Sequence, residues 1–141
     1  MVTVAVVGEG TTRRFDLSEL AARFRTHHAT YRIHCASSGL SESEWRCIPL
    51  LDLLTAAGVP ERATHIVAEA ADGYRAPIEM HTAYHGVLGI KRVDADSEGA
   101  DHGPPRILAS DIASERAVQA VRTIDWIAAA PDEDVEAYAS W

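Results

Sequence analysis

The chain has 141 residues, 47% hydrophobic and 24% charged, which suits one ordinary domain with its own core and argues against a disordered tail. Its formal net charge of -8, from 21 acidic and 13 basic residues, has the wrong sign for a surface that tracks phosphates, so nucleic acid is disfavoured as a partner. No apolar run reaches the roughly 20 residues that span a bilayer, so no membrane association is expected. The apolar start has no basic flank and reads as a strand rather than a leader, which makes a soluble, cytoplasmic protein the expectation. Lys91 is the only lysine against 12 arginines. An acidic, lysine-poor chain suits a halophilic, high-salt cytoplasm, and equally a GC-rich genome that spells basic residues as arginine.

In chain order, residues 2–7 are a β-branched run closed by Gly8-Glu9-Gly10, read as a strand and turn. Asp16 with Glu19 three residues on is a capping box. It predicts a helix to about Phe24 that buries Leu17, Leu20, Ala21 and Phe24. Residues 30–35 alternate as a strand ending at Cys35, and His27-His28 before them reads as loop. Pro49 and Gly58 bracket a second helix whose stripe is Leu50, Leu51, Leu53, Leu54 and Ala57. Residues 64–69 and 74–78 form a hairpin about Asp72-Gly73. Residues 87–93 are a further strand, and residues 94–105 a polar, acidic loop. Residues 106–109 and 118–127 are late β candidates, the second also readable as helix. Residues 131–138 read as a short acidic helix.

The irregular mixture predicts an α+β domain with a central, mostly antiparallel sheet and short helices, and Leu50, Leu53, Leu54, Ile66, Ile78 and Ile107 in its core. The expected division is one domain over 1–130 and an acidic helix or tail over 131–141. A Gly-rich strand-to-helix fingerprint and a P-loop are both missing, so nucleotide binding has no support.

Few residues offer chemistry. His81 and His85 stand four apart, a metal-ligand spacing on a helix, but no glutamate completes a zinc-protease motif and chance spacing on a surface accounts for them. No serine-hydrolase elbow exists, and Ser37-Ser38 are turn residues. Cys35 and Cys47 are too few for a disulfide framework. Cys35 ends a strand and is followed by the small residues Ala36-Ser37-Ser38-Gly39, so a thiolate there would be held rigidly with space before it. Taken alone it reads better as an inert buried cysteine. Cys47, between Arg46 and Ile48, has no such setting.

Context adds to this. His34-Cys35, then Trp45-Arg46-Cys47-Ile48-Pro49-Leu50 and Ala57-Gly58-Val59, resemble the sulfite oxidase family, the oxidoreductase molybdopterin-binding domain. That family carries a strand-end cysteine, then W-x-G-hydrophobic-P-L and a helix ending in A-G-V. Asp72-Gly73-Tyr74-Arg75-Ala76-Pro77-Ile78 is similar to its D-G-Y-x-x-x-I hairpin. His102-Gly103-Pro104-Pro105-Arg106-Ile107-Leu108 is similar to its H-G-x-P-x-R-hydrophobic segment, one residue shorter. Arg116-Ala117-Val118-Gln119 with Ile124-Asp125 stands where the family has K-S-V-K and I-E. The resemblance spans about residues 4–127.

The resemblance implies a sulfite-oxidase-like fold, a molybdenum-molybdopterin cofactor, and oxygen-atom transfer on a small oxyanion or sulfoxide, with electrons passed to an external carrier. It assigns Cys35 as the metal ligand, a soft thiolate suited to that metal. Tyr74 faces the oxo or substrate group as a hydrogen-bond donor, and Arg106 and Ser114 join the cofactor pocket. Arg116 reaches the pterin phosphate in place of the family's lysine. Departures are Cys47 for the motif glycine, Gln119 for the second lysine, and Ser114-Glu115 for a glycine and an aromatic. Glu115 and Gln119 both reduce positive charge where a phosphate is expected. They favour the alternative, a cofactor-free binding or partner module on the same scaffold.

Overall fold

The structure, a computed structural model, describes residues 2–35, 39–93, 104–110 and 112–139, the side chains of residues 33–35 and 39–41 excepted. Ser37, Ser38, His102 and most of the expected acidic loop lie outside the described residues. Strand β1 (Thr3–Val7) pairs antiparallel with β2 (Thr12–Asp16). Asp16 then caps α1 (Leu17–Arg23): its carboxylate accepts from Glu19 N at 2.7 Å, and Glu19 Oε1 accepts from Asp16 N at 3.2 Å. That reciprocal pair satisfies two of the donors a helix start leaves open. Leu20 is buried, while Leu17, Ala21 and Phe24 are half-buried.

Strands β3 (His27–Cys35) and β4 (Gly39–Pro49) make a long antiparallel hairpin. This corrects one expectation: His27-His28 belongs to the strand, paired with Cys47 and Arg46. The polar run before Trp45, which no expected element covers, is strand as well. Neither stretch has the apolar alternation that marks a strand in sequence; the hairpin ladder supplies what the pattern lacks. Helix α2 (Leu50–Ala57) follows directly and stops at Gly58, whose left-handed φ of 79° closes the last carbonyls. Its stripe is buried except for Leu51, which points outward at 43% exposure.

Strands β5 (His65–Ala70) and β6 (Arg75–Glu79) form the expected hairpin. Helix α3 (Met80–His85) joins them to β7 (Val87–Arg92) and brings the His81 and His85 rings to 5.3 Å. The last strands are β8 (Arg106–Leu108) and β9 (Val121–Ile127), so the segment also readable as helix is β. A 3-10 turn, Ser114–Arg116, lies between them, and the acidic stretch condenses into another at Val135–Tyr138.

The expected single central sheet is two sheets. One has the order β2-β1-β9-β5-β6 and the other β3-β4-β7-β8. Among the described residues, all pairings are antiparallel except β1 with β9. The main core unites both sheets with the helices, and contains Leu50, Leu53, Leu54, Ile66, Ile78 and Ile107 as expected. Trp45, Cys47, Val87 and Leu108 form a second cluster. Cys47, Val87 and Leu108 each neighbour a main-core residue in sequence, as in Cys47-Ile48 and Val87-Leu88, and Trp45 stands two positions from Cys47, so strand alternation puts the second cluster on the other face of the smaller sheet. Among the described residues, no helix is long and apolar enough to cross a membrane.

Candidate functional site

Four of the expected site residues converge on the turn at Ser114–Arg116. The Asp72-Gly73 turn places Tyr74, with Asp72 Oδ1 accepting from Tyr74 N at 3.0 Å and Gly73 at a positive φ of 91°. The Tyr74 hydroxyl donates to Glu115 O at 2.5 Å. Desolvation, then the Glu115 charge, raise the Tyr74 pKa, with Arg116 opposing, so the phenol stays a proton donor at neutral pH. Arg106, at the start of β8, donates from Nε to Ala117 O at 3.1 Å, and Ile107 N donates to Val118 O beside it. Ser114 begins the turn and Arg116 ends it.

Arg116 reaches away from the turn in two directions. Nη1 donates to Pro77 O on β6 at 2.5 Å, and Nη2 holds the Glu136 carboxylate of the last 3-10 turn. The guanidinium, 31% exposed, thus already reads an oxyanion. A cavity of about 330 Å³ lies here, bordered by Glu79, Ile112, Ala113, Arg116 and Glu136. Glu136 was invisible to sequence reasoning as a site residue. It sits 20 positions from Arg116 in an acidic stretch, and only chain folding makes the two neighbours.

Ile112 and Ala113 also border a cleft of about 730 Å³ whose opposite wall is Thr30, Tyr31, Arg32 and Glu42. Strand β3 comes against the Ser114–Arg116 turn. Arg32 Nε donates to Glu42 at 2.7 Å on that wall. Cys35 is the last residue of β3, as expected, three positions beyond Arg32 or about 10 Å of extended chain. Its side chain is outside those described.

Cys47 is a free thiol, 0% exposed, so it does not bond to Cys35. Burial pushes its pKa up to about 11, against a smaller lowering by the Ala29 backbone. At neutral pH it is a protonated, inert core residue. Among the described residues no three histidine, cysteine or carboxylate side chains gather as a metal site, and His81 and His85 have no third ligand.

Comparison with known proteins matches this arrangement to one family. No curated protein sequence matches the chain. A crystal structure of the sulfane dehydrogenase SoxCD from Paracoccus pantotrophus superposes with a TM-score of 0.79 at 18% identity, over 94% of this chain. The chain spans 39% of that protein's length, so the likeness carries the fold and not the larger protein's activity. The family described as oxidoreductase molybdopterin binding domain matches residues 2–134, a stretch that includes β1 to β9, the Tyr74 hairpin and the Ser114–Arg116 turn. The chain therefore belongs to the oxidoreductase molybdopterin binding domain family, with a sulfite-oxidase-like fold.

Proposed function

We propose that the chain binds the molybdopterin cofactor between the end of β3 and the Ser114–Arg116 turn, and acts there as an oxidoreductase on a small oxyanion or sulfoxide. The observation that carries this reading is the oxyanion contact of Arg116. One arm of its guanidinium, Nη2, holds the Glu136 carboxylate, an intramolecular stand-in for the phosphate that the family's cofactor carries. The donor set is of the right kind. Arg116 would hold the phosphate, with Ser114 and Arg106 flanking it, and the Cys35 thiolate would ligate molybdenum. When bound, the cofactor supplies two-electron oxygen-atom transfer. The protein's part is to orient and tune: Tyr74 stays protonated and can donate a hydrogen bond, and the turn it anchors stays pinned to β8. Reducing equivalents would pass to an external carrier.

Glu136 supports a second reading. With Arg116 engaged by a carboxylate and by Pro77 O, the same residues make a closed brace in a cofactor-free partner module. One experiment separates the two. Protein made in a cofactor-producing host should carry stoichiometric molybdenum, lost in Cys35→Ser and retained more tightly in Glu136→Gln, where phosphate no longer competes with a carboxylate. No molybdenum in the wild type, and none gained in Glu136→Gln or Gln119→Lys, leaves the partner module.

A further inference from the structure

Away from this site, β4 and β7 meet at an irregularity. Arg46 pairs with Lys91, then the register jumps so that Cys47 faces Gly89 and Ile90 is the extra residue. Bulges re-aim side chains. Here Arg46, Ile90 and Lys91 all border one cavity of about 500 Å³, with Leu17, Ala21 and Pro104. Like charges directly opposite one another on paired strands are unfavourable. Arg46 also pairs in register with His28 on its other side, which makes a basic row across β3, β4 and β7.

Among the described residues, only the His28 end of this row meets a carboxylate. Glu44 lies 3.5 Å from His28 Nδ1. Arg46 Nε donates to the neutral Thr26 hydroxyl at 3.2 Å. Among the described residues, no carboxylate is within ion-pair distance of Arg46 or Lys91. In a chain of net charge -8, the only lysine is thus placed opposite an arginine, and both line a cavity with Leu17, Ala21 and Ile90. A cavity of this size suits a small ligand. Paired cations beside apolar lining residues suit a molecule with an anionic head and an apolar body.

We propose that this cavity binds a small amphipathic carboxylate, its head between Arg46 and Lys91 and its body against Leu17, Ala21 and Ile90. The carboxylate supplies an anionic acceptor, which neither cation has among the described residues, and relieves their repulsion. The site stands independently of the cofactor reading.

Calorimetric titration of the full chain with sodium octanoate tests this. Saturable one-to-one binding is expected, weakening with salt, with acetate and octanol each about tenfold weaker or worse and octylammonium not binding. Lys91→Met should weaken octanoate about tenfold, the loss of one charge-assisted contact, yet raise the melting temperature of ligand-free protein by removing the repulsion. Lys91→Arg should keep the binding. Octanol binding as tightly as octanoate, or unchanged affinity in Lys91→Met, overturns the proposal. So does a lower ligand-free melting temperature in Lys91→Met, since it would mean that the cation already serves an internal partner. Arg46→Gln repeats the test on the opposing cation.

Discussion

The two faces of the sheet β3-β4-β7-β8 differ in how they carry polar groups. On the face toward the main core, Ile48, Leu88 and Ile107 are fully buried, and the charged pair Arg46–Lys91 appears only where the bulge opens onto a cavity. On the other face a small dry cluster closes around polar atoms that have no partner. Trp45 is 1% exposed and its Nε1 makes no hydrogen bond, and neither does the buried Nε of its cross-strand neighbour Arg92. Cys47 lies beside them with a thiol that resists ionisation. The same two strands therefore hold charge near solvent, where a ligand can answer it, and buried donors where nothing can. An unanswered buried donor costs about 1–3 kcal/mol, so the outer cluster depends on tight packing.

That contrast can be broken most strongly at Gly89. A Cβ there would stand 2.7 Å from the Trp45 ring and 2.8 Å from Leu108 Cδ1, with both side chains enclosed. Gly89→Ala should cost about 2–3 kcal/mol, measured by urea unfolding, while leaving octanoate affinity unchanged because the cavity opens on the other face. A loss below about 0.5 kcal/mol would mean that the outer cluster is loosely packed.

Alkali probes the same cluster through Cys47. The unfolded thiol ionises from its ordinary value of 9.0, and the folded thiol holds its proton to about 11. The native state therefore binds more protons between those values, so its stability is intact below pH 9 and falls as pH rises toward 11. The loss should approach about 2–3 kcal/mol, and Cys47→Ala should flatten that part of the stability curve. An unchanged slope in Cys47→Ala would show that another group, Tyr31 first, carries the alkaline loss. Burial and the neighbouring Cys47 both raise the pKa of Tyr31.

The smallest effect belongs to the open face. Lys91→Glu turns a repulsive cross-strand pair with Arg46 into an attractive one and should stabilise the protein by about 0.2–1 kcal/mol, seen as a small rise in melting temperature, while abolishing octanoate binding. A fall in melting temperature would reverse the charge balance inferred for this row.

Local chemistry made much of the fold legible in the sequence. The Asp16–Glu19 capping box, the Gly58 stop and the Asp72-Gly73 hairpin each rest on contacts within a few residues, and each is present. The helical stripe also found its core, apart from Leu51, because the period of 3.6 marks one face but not the width of the surface that face meets. The motif residues Tyr74, Arg106, Ser114 and Arg116 are legible in the sequence as types and order, because each motif is written in a few consecutive residues.

Only the tertiary structure decided which of these residues share a neighbourhood. Strand alternation says which side chains face together, but not which strand lies alongside, so one expected sheet became two and His27-His28 moved from loop to ladder. Glu136 meets Arg116 across 20 residues, and Lys91 meets Arg46 across 45 through a bulge that no periodicity announces. Composition and local pattern determined the class of the domain and its candidate chemistry, because both are written in short-range sterics and burial. The charge partners were set by long-range strand pairing, because ion pairs are weak, short-ranged in salt water and dependent on where the backbone has already been placed.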